Sequence, residues 1–78
     1  MIQLWQLSDD GDIVKFKFQV ESDKRTGVVM YSRSRAATKF NSRLIDEYAK
    51  NYRYHLRSTL FKMGKVDEFP SQYTIAWY

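Results

Sequence analysis

The chain is 78 residues long, carries 13 Lys and Arg against nine Asp and Glu, and contains one histidine and no cysteine. That length predicts a single domain, residues 1–78, near the lower limit at which one core holds a fold without disulfide or metal staples. It excludes a cysteine nucleophile and a cysteine-based metal site, and places the burden of stability on five Phe, six Tyr and two Trp, which bury the most area per residue.

Met1 to Ser8 reads as a first strand with Ile2 and Leu4 on one face and Gln3 and Trp5 on the other, and alternation alone does not say which face is inward. Ser8-Asp9-Asp10-Gly11-Asp12 is turn chemistry, since Asp side chains bond nearby amides and Gly11 tolerates positive φ. Its spacing does not match a calcium loop. Ile13 to Glu21 is the clearest strand: Val14, Phe16, Phe18 and Val20 alternate with Lys15, Lys17, Gln19 and Glu21, the period of a sheet with one dry and one wet face. Ser22 to Gly27 is a polar connection, and Val28 to Arg33 a third strand. Short connections between these three predict an antiparallel meander.

Ser34 to Phe40 reads as a connection to a long helix over residues 41–63. Leu44, Ile45, Tyr48, Ala49, Tyr52, Leu56, Thr59, Leu60 and Met63 recur at three- and four-residue steps along one helical stripe. Asn41 or Ser42 is the expected N-cap and Gly64 the expected stop, with Pro70 beyond it. Gln72 to Tyr78 alternates Tyr73, Ile75 and Trp77 against Thr74, Ala76 and Tyr78, as a last strand would. The expected fold is therefore α+β, in the order β-β-β-α-β. It comprises a mainly antiparallel four-stranded sheet with one long helix on one face, and a last strand beside and parallel to the first.

Charge is segregated along the chain. Residues 1–23 hold two lysines against five carboxylates, whereas residues 24–65 hold eleven Lys or Arg against only Asp46 and Glu47. The basic middle predicts a polyanion or an acidic protein surface as partner. At 100° per residue, Arg43, Lys50, Tyr54, Arg57 and Phe61 fall in one arc across from the apolar stripe. Cations interleaved with rings suit single-stranded nucleic acid, where phosphates are neutralised and bases stack. The same residues suit a protein interface.

Two further surfaces follow. Arg33, Arg35 and Lys39, leading into Arg43, form a basic cluster before the helix. On the sheet, Lys15, Lys17 and Gln19 point away from the core, beside either Tyr31 and Arg33 or Val28 and Met30.

Catalysis is not expected: His55 lies at the border of the apolar stripe, no serine or threonine has a recognisable base, and the three glycines are isolated. No cofactor or metal is implied. The absence of a leader-like apolar run or of about 20 consecutive apolar residues predicts a soluble chain without a membrane segment, and the absence of cysteine favours the cytoplasm. The reading is a non-enzymatic binding module for nucleic acid. The alternative is a protein-interaction or regulatory module that pairs as a homodimer through an edge strand or aromatic patch.

Overall fold

A computed structural model of the chain describes residues 1–76. Among them, five strands form one antiparallel sheet: β1 (Ile2–Asp9), β2 (Ile13–Val20), β3 (Gly27–Ser32), β4 (Ala37–Phe40) and β5 (Gln72–Ile75), in the spatial order β4-β3-β2-β1-β5. A 3-10 turn over Arg43–Glu47 and the helix α1 (Lys50–Val66) cover one face. The expected α+β class and single covering helix hold, with one more strand than the sequence pattern predicts.

Alternation decides the core. Ile2 and Leu4 of β1, Val14, Phe16, Phe18 and Val20 of β2, and Val29 and Tyr31 of β3 are buried against Ile45, Leu56, Leu60 and Met63. Each such side chain removed from water contributes about 1.5–3 kcal/mol, so the strand with four of them, β2, is the centre of the sheet. The open question in β1 is thereby answered: Ile2 and Leu4 point inward, and Trp5 lies on the opposite face beside Lys17, whose Nζ is 4.9 Å from the indole centroid.

The additional strand is β4, in the segment read as a connection. Ala37 to Phe40 pairs with Ser32 to Val29, and Phe40 packs edge-on to Phe18 with ring centroids 6.3 Å apart. This strand also reverses the end of the fold. Three strands up, down and up, followed by a returning helix, would leave the last strand parallel to the first. A fourth strand inverts that parity, so β5 lies beside β1 as expected but antiparallel, with Ile2 opposite Ile75 and Trp5 opposite Gln72. Tyr73 and Ile75 take the helix side; the expected positions of Trp77 and Tyr78 lie outside the described residues.

The long helix of residues 41–63 is two pieces. Tyr48 (φ −104°, ψ 163°) and Ala49 (φ −60°, ψ 150°) are extended and separate the 3-10 turn from α1. The Tyr48 hydroxyl donates to Asp23 at 2.6 Å and the Tyr52 hydroxyl to Glu21 at 3.1 Å, which ties this break to the β2–β3 turn. Neither Asn41 nor Ser42 caps α1; its N-cap is Ala49. At the other end Gly64 is inside the helix, and the left-handed residue is Asp67 (φ 52°, ψ 44°), where the amides of Asp67 and Glu68 return to the carbonyls of Gly64 and Met63. Gly64 is needed for another reason: a Cβ there would lie 2.6 Å from ring carbons of the buried Tyr31.

One charged cluster closes the end of the sheet where α1 stops. The Arg33 guanidinium donates to Asp9 at 2.6 Å and 2.7 Å and to Asp67 at 2.8 Å, and lies 4.7 Å from the Phe69 centroid. The hydrogen bonds from Arg33, then the one from the Gly11 amide, hold the Asp9 carboxyl down to about 2. A carboxylate depressed in the folded state stabilises it above the unfolded value of about 3.9 and ceases to as pH falls through the folded one. Urea midpoints are therefore expected to decline between about pH 4 and pH 2, and Asp9→Asn to be less stable at pH 7 with a shallower acid decline. An unchanged acid profile in Asp9→Asn would remove Arg33–Asp9 from the account.

Candidate nucleic-acid interface

Of the residues singled out by the sequence, four converge on a trough between α1 and the edge strand β4. On α1, Lys50, Tyr54, Arg57 and Phe61 follow one another at steps of four, three and four, which makes a single ridge about 16 Å long. This ridge does not stand opposite the core. On the β4 side of α1, Tyr54, Arg57 and Phe61 look across to Tyr31, Ala37 and Thr38 and border a hollow of about 570 Å³. A second hollow of about 380 Å³ continues past Phe40 and is bordered by Arg43, Arg53 and again Arg57. Arg57 is thus the residue common to both, at the middle of the trough. Lys50 is exposed at the first turn of α1 and extends the ridge without lining either hollow.

Two rings of the ridge face water: Tyr54 is 67% exposed and Phe61 47%. Lys65 stands over Phe61, with Nζ 5.9 Å from its centroid. The sequence reading missed Arg53, whose guanidinium lies 5.6 Å from the Phe40 ring and pairs with Asp46. Its spacing of four from Arg57 was the available signal. What concealed it was β4, without which Phe40 has no reason to lie beneath an arginine of α1.

Ion pairing sorts the basic residues into two sets. Arg25 is taken by Asp23 and Glu47 at 2.9 Å each, Arg33 by Asp9 and Asp67, and Arg53 by Asp46. Lys39, Arg43, Lys50 and Arg57 enter no salt bridge among the described residues. An unpaired surface cation is the kind that neutralises a phosphate without first giving up a partner.

The basic cluster before the helix is accordingly dispersed. Arg33 is the clamp at the end of the sheet and is not available to a ligand without breaking it. Arg35 and Lys39 lie on the other sheet face, beside Met30 and Asp12. Only Arg43 remains with the trough. His55, half-buried, borders a separate hollow between α1 and β5 and stacks edge-on to Tyr54 at 5.6 Å.

The strand beside the trough has open backbone. The Asn41 amide donates to the Val28 carbonyl at 2.9 Å, which makes that pair hydrogen-bonded. By alternation Met30–Lys39 and Ser32–Ala37 are hydrogen-bonded too, so the N–H and C=O groups of Thr38 and Phe40 point away from β3. The trough therefore combines cations, exposed rings and unused backbone donors and acceptors.

No helix among the described residues is long and apolar enough to cross a membrane, and no group of three or more His, Cys, Asp or Glu among them could hold a metal ion. The architecture defines a small α+β domain with one sheet face that no described helix covers and a basic, aromatic trough beside one edge strand. The chain matches no protein-family model, no curated protein and no solved structure.

Proposed function

We propose that the protein is a non-enzymatic binding module that holds single-stranded nucleic acid along the trough between β4 and α1. The observation that carries this reading is the ridge of exposed Tyr54 and Phe61 around Arg57, with Arg43 and Lys50 also free of salt bridges among the described residues. Cations contact phosphates and rings stack on unpaired bases, so a single strand uses both, whereas a duplex hides its bases from the rings. Fluorescence anisotropy of labelled single- and double-stranded oligonucleotides at several salt concentrations is the test. Single strands are expected to bind more tightly, with log K falling linearly in log salt. No binding of either at low salt would end this reading.

A second reading has its own observation, the outward N–H and C=O groups of Thr38 and Phe40. An open edge accepts another strand, and a second copy adding there would make the homodimer considered from the sequence. Light scattering at high concentration checks it: a dimer mass that persists in high salt is the expected result, and a monomer mass throughout counts against it.

A further inference from the structure

The sheet face turned away from α1 presents a second arrangement that the trough does not use. Cross-strand register places its side chains in rows: Thr74, Gln3 and Gln19; then Gln72, Trp5, Lys17 and Val28; then Lys15, Met30 and Lys39. No described helix covers these rows, and no strand places a carboxylate among them. Asp9 lies on the other face with Arg33, and Asp12, at the corner, is held by the Ser34 amide at 2.7 Å. With nine acidic residues in the chain, a five-stranded face of lysines, amides and one indole is a segregated surface.

The two glutamines of the first row are complementary. Thr74 donates to Gln3 Oε1 at 3.1 Å, which leaves the Gln3 amide nitrogen without a partner among the described residues. Gln19 Nε2 donates to the Asp23 carbonyl at 2.7 Å, which leaves the Gln19 amide oxygen as an acceptor. Gln3 and Gln19 are register partners, with Cβ atoms about 5 Å apart, so one residue of the pair keeps a donor and its neighbour an acceptor for a ligand. That is the pattern presented in reverse by the hydrogen-bonding edge of a nucleobase. Trp5 is two residues along the same strand, about 7 Å away, and offers a stacking surface beside that pair. Lys15, Lys17 and Lys39 flank it as cations.

We infer that this face is a second contact surface for single-stranded nucleic acid, on which a base stacks on Trp5 and its neighbour is read by Gln3 and Gln19. The inference rests on the nucleic-acid reading of the partner but not on the trough. A second copy of the chain is the poorer occupant, because a twofold contact through this face would set Lys15, Lys17 and Lys39 against their own images with no carboxylate to oppose them. Lys17 sits over the indole, so a stacking base displaces it toward a phosphate.

The test uses Trp77→Phe, in which Trp5 is the only tryptophan. Oligo-dA, oligo-dC and oligo-dT are titrated while Trp5 fluorescence and oligonucleotide anisotropy are followed together. Trp5 quenching is expected to saturate at the same concentration as anisotropy, and Trp5→Ala to weaken binding by about 5- to 100-fold. Gln3→Ala keeps the ring and is expected to compress the differences among the three oligonucleotides, a readout that lost stability alone would not produce. If binding occurs and depends on Arg57 and Phe61 while Trp5 is neither quenched nor required, the face is not a contact and the trough stands. If Trp5 quenches and Lys15→Gln weakens binding while Arg57→Gln does not, the trough fails and this face stands. Quenching by poly-glutamate, with no response to any oligonucleotide, would assign the face to an acidic protein and overturn the inference.

Discussion

Arg57→Gln is expected to weaken single-stranded oligonucleotide binding by about tenfold or more at low salt, because a hydrogen bond to a charged group is worth about 1.5–3 kcal/mol. It should also reduce the salt slope by about 0.7, the share of one phosphate contact on a single strand. The position is decisive because Arg57 alone borders both hollows of the trough and has no carboxylate partner among the described residues. Arg25→Gln removes the same charge from a residue already held by Asp23 and Glu47, and should leave affinity and slope nearly as they were. Phe61→Ala completes the set: stacking carries no counterion release, so affinity falls while the slope stays. If Arg25→Gln and Arg57→Gln lose affinity equally, the protein binds by net charge and the trough is not the site.

A second large effect, on stability, is expected at Gly64, where two terms have opposite signs. Replacing a glycine within a helix, even in its last turn, with alanine ordinarily stabilises by up to about 0.5–1 kcal/mol. Here the new Cβ would press on the Tyr31 hydroxyl and lie 2.6 Å from two of its ring carbons. Tyr31 is only 3% exposed and packs against Phe69 with centroids 5.8 Å apart, so it has little room to yield. Overpacking of this kind costs about 1–3 kcal/mol, which exceeds the propensity gain. Gly64→Ala is therefore expected to be the less stable protein by about 1–2 kcal/mol, a fall of several degrees in Tm. Urea unfolding followed by circular dichroism measures it. A Gly64→Ala protein as stable as the original would mean that α1 moves off the sheet at little cost. Since Tyr31 also lines the trough, Gly64→Ala should in addition shift the affinity of Phe61-dependent binding.

The legible parts of the fold are those with a strong local period. Val14, Phe16, Phe18 and Val20 alternate over a full strand and are all buried, and Leu56, Leu60 and Met63 recur at helical steps and are all buried. β4 was not legible because an edge strand of four residues presents only Thr38 and Phe40 inward, too few to establish a period. The break at Tyr48 and Ala49 was hidden for the opposite reason. The turn ending at Glu47 and the helix beginning at Lys50 carry Ile45, Tyr48, Tyr52 and Leu56 at steps of three and four, so the apolar stripe runs on while the backbone does not. The Tyr48 and Tyr52 hydroxyls, which reach carboxylates 25 and 31 residues away, hold that break in place.

In the candidate site, the aromatic and basic identity of the α1 ridge was readable from the sequence, but its setting was not. A helical wheel places Tyr54, Arg57 and Phe61 away from the apolar stripe; it does not say that Tyr31 of β3 and Thr38 of the edge strand β4 face them across a hollow. Nor does it separate Arg33 from Arg57, two arginines of the same basic segment. Arg33 meets Asp9 and Asp67, 24 and 34 residues away along the chain, and is consumed in a structural clamp. Arg57 meets no carboxylate among the described residues and stays available.

By itself, then, the sequence determined which residues of β2 and α1 are inside, that three strands precede an amphipathic helical stripe, and that the middle of the chain is basic, because these follow from side-chain periodicity and composition over a few turns or strand lengths. Tertiary structure decided the number of strands, the antiparallel sense of β5, and which cations are spoken for. Each of those depends on contacts between segments far apart in the chain, where one inserted strand inverts the direction of everything after it and one distant carboxylate turns a candidate ligand contact into part of the scaffold.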